Sequence, residues 1–190
     1  MKFLIKIIPL LLVAGVAHSA TVVYTATLSG PNESPANASP GIGSAIVTLD
    51  TSTNTMHVHV DFAGLIGNVT GSHIHSATAV AGSGTAGVAT ATPTFPGFPS
   101  GVTSGTYDQD FDMSLATSYN AAFVTANGGT VSSAEAALFA GIDAGKAYLN
   151  IHTSAVPGGE IRGFLVPEPA TGGLFAGACG ALAFSRRRRC

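Results

Sequence analysis

Two stretches of this chain alternate with a period of two. In residues 55–62, Val58, Val60 and Phe62 fall on one side and His57, His59 and Asp61 on the other. In residues 106–115, Tyr107, Gln109, Phe111, Met113 and Leu115 stand opposite Asp108, Asp110, Asp112 and Ser114. That period belongs to a strand with one face buried and the other in water. Residues 21–29 and 43–50 are rich in Val, Ile, Thr and Tyr, and further short runs occupy 69–75, 147–152 and 160–166. Turn-forming residues separate them: Pro31 to Pro40, Gly64 and Gly67, Pro93 to Gly101, and Pro157-Gly158-Gly159. Many short strands with Gly/Pro punctuation predict a mostly β fold, an antiparallel Greek-key sandwich or barrel. One short helix interrupts it. Ser132-Ser133-Ala134-Glu135 reads as a capping box, Leu138 and Phe139 fasten the helix over an end of the sheet, and Gly141 or Gly145 ends it. Residues 77–105 read as a loop excursion with one weak strand at 87–91.

The two ends read as hydrophobic targeting helices. Lys2 and Lys6 precede or interrupt an apolar run over 4–16, and Ala17-His18-Ser19-Ala20 supplies small residues for cleavage. Residues 1–20 therefore read as a secretory signal peptide. At the other end Val166-Pro167-Glu168-Pro169 leads into an apolar span over 170–184, followed by Arg186, Arg187, Arg188 and Arg189. The arginines resist translocation and mark the cytoplasmic side. As a helix the span covers only about 22 Å, short of the roughly 30 Å hydrocarbon core, which suits a transient membrane contact better than a permanent anchor. The tail, residues 166–190, resembles the PEP-CTERM sorting signal. That resemblance implies an exosortase and the secretion machinery as processing partners. It also implies release to the cell surface, outer envelope or extracellular space.

The remainder, residues 21–165, is the size of one domain. The whole chain carries a formal charge of −2, but this segment holds only Lys146 and Arg162 against nine acids. So acidic a domain lacks the means to neutralise phosphates, which excludes nucleic acid as a partner. The two cysteines, Cys179 and Cys190, both lie in the tail, so a packed core and not a disulfide must hold the domain. Three Asn-X-Ser/Thr sites begin at Asn32, Asn37 and Asn68.

The chemistry-bearing residues are imidazoles. Ser72-His73-Ile74-His75-Ser76 puts two histidines on one strand face with Ile74 on the other. In Tyr148-Leu149-Asn150-Ile151-His152-Thr153, Leu149 and Ile151 face the core, so Asn150 and His152 share the outer face. Two readings of His73, His75 and His152 stay open. They either donate hydrogen bonds that fasten loops, or hold one copper or other divalent metal ion. At their ordinary pKa near ~6.5, such ligands would release a metal by pH ~5. Glu160 and Arg162 share a strand face, as a local ion pair or as an attractor for anions at the metal. His57 and His59 read as a solvent-facing stripe, and Asp108, Asp110 and Asp112 as a solvated face. The aspartates lack the turn glycine and bidentate glutamate of a calcium loop. No Ser–His–Asp order, phosphate-binding loop or Cys–His pair stands out.

The segments HIH, YLNIHT and PGGEIRG, in this order, resemble the CHRD (chordin-type) domain over roughly residues 22–165. The resemblance implies an extracellular β domain with no established reaction. A second one, to the copper/zinc superoxide dismutase barrel, matches His73 and His75 to a ligand pair, His152 to a later ligand and Arg162 to an anion-guiding arginine. The bridging histidine, the zinc cluster and the disulfide of that family have no counterpart, so at most one mononuclear site is implied. Two functions follow as expectations. The first is an exported surface or matrix protein that binds extracellular polysaccharide or protein. The alternative is a metal-binding protein with redox activity through the three histidines.

Overall fold

The computed structural model describes residues 21–168. The expected signal segment, Pro169, the apolar span and Arg186 to Arg189 lie outside the described residues. Among the described residues no helix is long and apolar enough to cross a membrane.

Eight strands form: β1 Thr21–Ser29, β2 Ile42–Asp50, β3 Thr55–Ala63, β4 Val69–His75, β5 Gly105–Asp112, β6 Tyr148–Thr153, β7 Ile161–Phe164 and β8 Val166–Pro167. They make one antiparallel sheet in the order β4-β6-β7-β1-β2-β3-β5, with β8 also on β1. The sheet curls into a half-barrel. β1, β2 and β3 are a simple meander, whereas β3 to β4 and β5 to β6 connect strands that are not neighbours. The alternation in the sequence sets the register. Met56, Val58, Val60 and Phe62 of β3 face inward beside Tyr107 and Phe111 of β5. The pattern stops earlier than expected. Asp112 captures the amide and hydroxyl of Ser114 at 2.9 and 2.6 Å, which turns the chain and leaves Leu115 exposed. Gln109 is exposed as well.

An open half-barrel leaves the outer edge of β4 without a strand partner, an unfavourable state for backbone polar groups. The excursion between β4 and β5 supplies the partners. Ala89, Phe95 and Gly101 donate their amides to the carbonyls of Ile74, Ser72 and Val69 at 2.9, 3.0 and 2.9 Å. The hydroxyls of Thr90 and Thr94 accept from the amides of Ile74 and Ser72. The weak strand expected over 87–91 is reduced to isolated bridges, His75 with Val88 and Thr90 with Tyr119. Phe95 and Phe98 then reach the other edge, packing on Tyr107, Phe111 and Phe62 with ring centroids 4.9–5.9 Å apart. The excursion thus closes the side that the sheet leaves open.

Two helices lie between β5 and β6 where one was expected: α1 Ala121–Ala126 and α2 Val131–Asp143. Asn120 caps α1 through its side-chain oxygen. The capping box of α2 sits two residues before the expected one and pairs Thr130 with Ser133. Gly128 and Gly129, at φ 96° and 77°, make the reversal that places Thr130 at the helix start. Leu138 is fully buried and Phe139 partly so. Gly145, in the left-handed region at φ 64°, follows the helix end, whereas Gly141 packs inside it against Ser76. Pairing continues past residue 165. Val166 and Pro167 lie on Thr25 and Tyr24, and the Glu168 amide donates to the Val23 carbonyl at 2.9 Å.

Glu160 holds three segments together. Fully buried just before β7, it accepts from the hydroxyls of Ser39 and Thr153, both at 2.6 Å, and from the amides of Ile66 and Gly67 at 2.7 and 3.2 Å. Burial pushes its pKa up, but these four bonds together outweigh burial and leave it lowered. A carboxyl lowered on folding contributes stability above its ordinary pKa and loses it as the pH falls through the folded value. Glu160→Gln should therefore cost about 2–4 kcal/mol at pH 7, because an amide group meets a ring of donors. Denaturant unfolding at neutral and acid pH checks this: the gap to wild type should narrow below pH ~4. Equal midpoints at pH 7 would remove Glu160 from this role.

Candidate metal centre

The histidines sit on the outer face of the β4–β6 pair. Ile74, Leu149 and Ile151 point inward and are fully buried, which fixes their neighbours on the other side. The register sets His73 across from Asn150, His75 across from Tyr148, and His152 across from Gly71. Gly71 leaves room where the rings gather, for a Cβ there would lie 3.2 Å from the Pro93 carbonyl and 3.6 Å from His73 Cε1. This face was expected to point outward, away from the core. It does, but the excursion and the β6–β7 turn cover it, and His73 and His75 are each only 8% exposed.

The three rings converge. Their centroids are 5.4 Å apart for His73–His152, 5.8 Å for His75–His152 and 5.9 Å for His73–His75. One nitrogen from each ring lies within 4.8 Å of the other two. Each ring also spends one nitrogen on a backbone carbonyl: His73 Nε2 on Pro93 at 2.7 Å, His75 Nδ1 on Ala86 at 3.0 Å, and His152 Nδ1 on Pro157 at 2.9 Å. A carbonyl only accepts, so the bonded nitrogen carries the proton in each case. That fixes the tautomers and leaves lone pairs on His73 Nδ1, His75 Nε2 and His152 Nε2. These three atoms are buried and have no hydrogen-bond partner.

The rings are also kept neutral. Burial pushes the His75 pKa down to about 4 against the opposing pull of the Ala86 bond, with the charges of His152, His73 and Arg162 adding to the lowering. Burial lowers His73 and His152 as well, each partly offset by its carbonyl bond. Neutral imidazole with one nitrogen tethered to a carbonyl is the form that binds transition metals. An ion centred in a ligand triangle 4.8 Å wide lies within about 2.8 Å of each nitrogen. A metal–imidazole bond is ~2.0–2.1 Å, so movements of under about an ångström would complete the site. An opening of about 270 Å³ adjoins the rings, lined by Thr70, Gly71, His73, Val88, Pro93, His152 and Pro157. A larger hollow, about 610 Å³ beside Ile42, Phe62 and Ala63, touches none of the three histidines.

A stack of side chains backs the site. Tyr148 lies parallel to His75 at 4.8 Å, and the Arg162 guanidinium sits 4.7 Å from the Tyr148 ring centre. Arg162 donates to the carbonyls of Asn32 at 2.6 Å and Gly84 at 3.1 Å. The expected pairing of Arg162 with Glu160 is replaced: Glu33 is the carboxylate beside it, at 3.6 Å. Strand β7 begins only at Ile161, so alternation does not hold Glu160 beside Arg162, and Glu160 turns to Ser39, Ile66, Gly67 and Thr153. Burial pushes the Glu33 pKa up to about 7, with Arg162 pulling it down. Asn150 is buried beside Glu33 under Gly159, at φ 131°, where a Cβ would collide with both side chains. Sequence reasoning missed Glu33. Its one signal was being the sole charge in an otherwise uncharged loop, residues 31–40.

The other histidine pair stays in solvent, as expected. His57 Nδ1 meets Asp110 at 2.8 Å, and His59 meets Asp108 at 2.8 Å and Asp61 at 3.1 Å. Hydrogen bonds to Asp108 and Asp61 raise the His59 pKa. The aspartates of the solvated face are engaged by these histidines and, at Asp112, by Ser114. Among the described residues, His73, His75 and His152 are the one group of three side chains with metal-ligand spacing.

No curated protein and no solved structure matches the chain. The likeness to superoxide dismutase, read from His73, His75, His152 and Arg162, therefore finds no support in these comparisons. The model of the CHRD domain does match, over residues 24–165. That span runs from β1 through β7 and contains all three histidines, Glu33, Glu160 and Arg162, and on that match the chain belongs to the CHRD domain family.

Proposed function

We propose that this is an exported CHRD domain that holds one transition-metal ion between His73, His75 and His152. One observation carries the reading: three buried lone-pair nitrogens, on rings whose other nitrogens are tethered, have no partner. Leaving a buried polar atom unsatisfied costs about 1–3 kcal/mol each, and a single coordinated ion satisfies all three. Loop fastening does occur, but it uses only one nitrogen per ring and leaves the others unexplained. A set of three imidazoles suits copper, zinc or nickel, and lacks the oxygen ligands that calcium and magnesium require.

Export is supported by the family, which is typical of secreted and extracellular proteins. It is also supported by the basic-then-apolar start at Lys2 to Val16 and by the Pro-Glu-Pro, apolar and arginine order of the tail. We read the protein as reaching the cell surface or extracellular matrix, with processing by an exosortase and with extracellular polysaccharide or protein as its surroundings. There the ion would hold the covering loops or serve redox chemistry.

Metal analysis of the exported protein, with equilibrium dialysis against copper and zinc, should find one ion per chain in wild type. His152→Ala should lose it while retaining the β-type circular dichroism of wild type. Wild type that retains no stoichiometric metal from either source would sink the reading.

The lowered pKa values shift the expected pH of release. A ring with a folded pKa near 4 keeps its lone pair at pH 5, so metal should stay bound there and leave as the pH falls toward about 4. The metal-free domain should lose stability from the ordinary histidine pKa of ~6.5 downward, because the unfolded chain takes up protons that the buried rings refuse. Bound metal and melting temperature measured from pH 7 to pH 4 test both statements. Half-release already at pH 6.5 would show rings that behave as solvent-exposed.

A further inference from the structure

We propose that the ion this site selects is cuprous copper, Cu(I), over a divalent ion such as zinc. This rests on the metal-site reading above and specifies it. The first argument is charge. All three donors are neutral, and no carboxylate or thiolate belongs to the group. The cost of burying an ion rises with the square of its charge, so a divalent ion pays about four times the monovalent cost, and neutral donors do not cancel its charge. An anionic ligand would offset that cost, and this group contains none.

The surroundings act in the same direction. The fixed charge backing the site is a cation: Arg162, 3% exposed, stacks on Tyr148, which stacks on His75. From that position its field disfavours a second positive charge on a bound ion. Among the described residues Glu33 is the one carboxylate paired with Arg162. Its burial holds a proton on it to around neutral pH, so its compensation is partial.

The second argument is coordination number. Zinc held by three protein ligands keeps a water in the fourth position. The free nitrogens here have essentially no exposed surface. Val88, Pro93 and Pro157 wall the adjoining opening, and the two proline carbonyls already accept from His73 and His152. Cu(I) has a filled d shell and is stable with three ligands, so it needs no fourth. A trigonal site of three neutral nitrogens matches that ion, whereas zinc held there still needs a fourth ligand.

The test uses the full-length protein without bound metal. It is titrated anaerobically with Cu(I) against bicinchoninate in the presence of ascorbate, and separately with Zn(II) against a chromophoric chelator. His152→Ala serves as the control. The expected result is one Cu(I) per chain, held at least ~10-fold more tightly than Zn(II). The X-ray absorption edge should report three nitrogen ligands, and the control should lose binding. Zinc bound as tightly as Cu(I), or a Cu(I) edge showing four ligands, overturns the cuprous inference and leaves the metal site standing. Neither ion bound by wild type overturns the metal-site reading itself.

Discussion

A polar side chain taken out of water must find a partner or cost free energy, and in this domain that constraint falls on the outer face of β4, β6 and β7. A single antiparallel sheet commonly leaves such a face wet. Here loops lie across it, and the side chains beneath become a second, polar interior. Arg162 reaches the Asn32 and Gly84 carbonyls at 2.6 and 3.1 Å. Glu160 gathers four donors where the loops carrying Ser39, Ile66 and Gly67 meet the end of β6. The hydrophobic core beneath specifies the half-barrel; the polar layer above it specifies where the loops rest.

The histidines show how loop anchoring and metal readiness become one arrangement. A ring that donates to a carbonyl is held in one tautomer and one orientation, and its remaining lone pair is aimed as a consequence. Three loop carbonyls, those of Ala86, Pro93 and Pro157, are each held this way. The opposed readings of the sequence, loop fastener or ligand, therefore describe two nitrogens of the same ring. The mixed set of one Nδ1 and two Nε2 follows from which carbonyl each ring meets.

What was legible in the sequence is what strand periodicity controls. Ile74 alone between two histidines, and Leu149 and Ile151 flanking Asn150, were enough to set the inward and outward faces correctly. The outward placement of His57, His59, Asp108 and Asp110 follows from the same alternation, though their pairing across β3 and β5 does not. What escaped were features set by contacts between distant segments or by local turn chemistry. Glu33 meets Arg162 only because β1 and β7 pair at Ser29 and Arg162, which brings the Gly30–Asn32 turn beside them. The start of α2 depended on the two left-handed glycines before Thr130, which outweigh a serine already inside the helix. The cover over the histidines was hidden in a run of small residues that looks featureless until it is laid along the edge of β4.

The chain contains its own control for the weight given to His-X-His. His57 and His59 have the same spacing as His73 and His75, and both pairs sit on the outer face of a strand. At His59 two carboxylates accept the ring hydrogen bonds, which raises its pKa and favours the imidazolium, a form without a lone pair to offer. At His75 a carbonyl takes one nitrogen and burial drives the pKa down, so the other nitrogen stays free and unprotonated. Spacing is common to the two; cover and partner are not. The neutral loop carbonyls above β4, where the β3 face has aspartates, separate a ligand set from a solvated charge ladder, and they do so through the tautomer and charge of the same side chain.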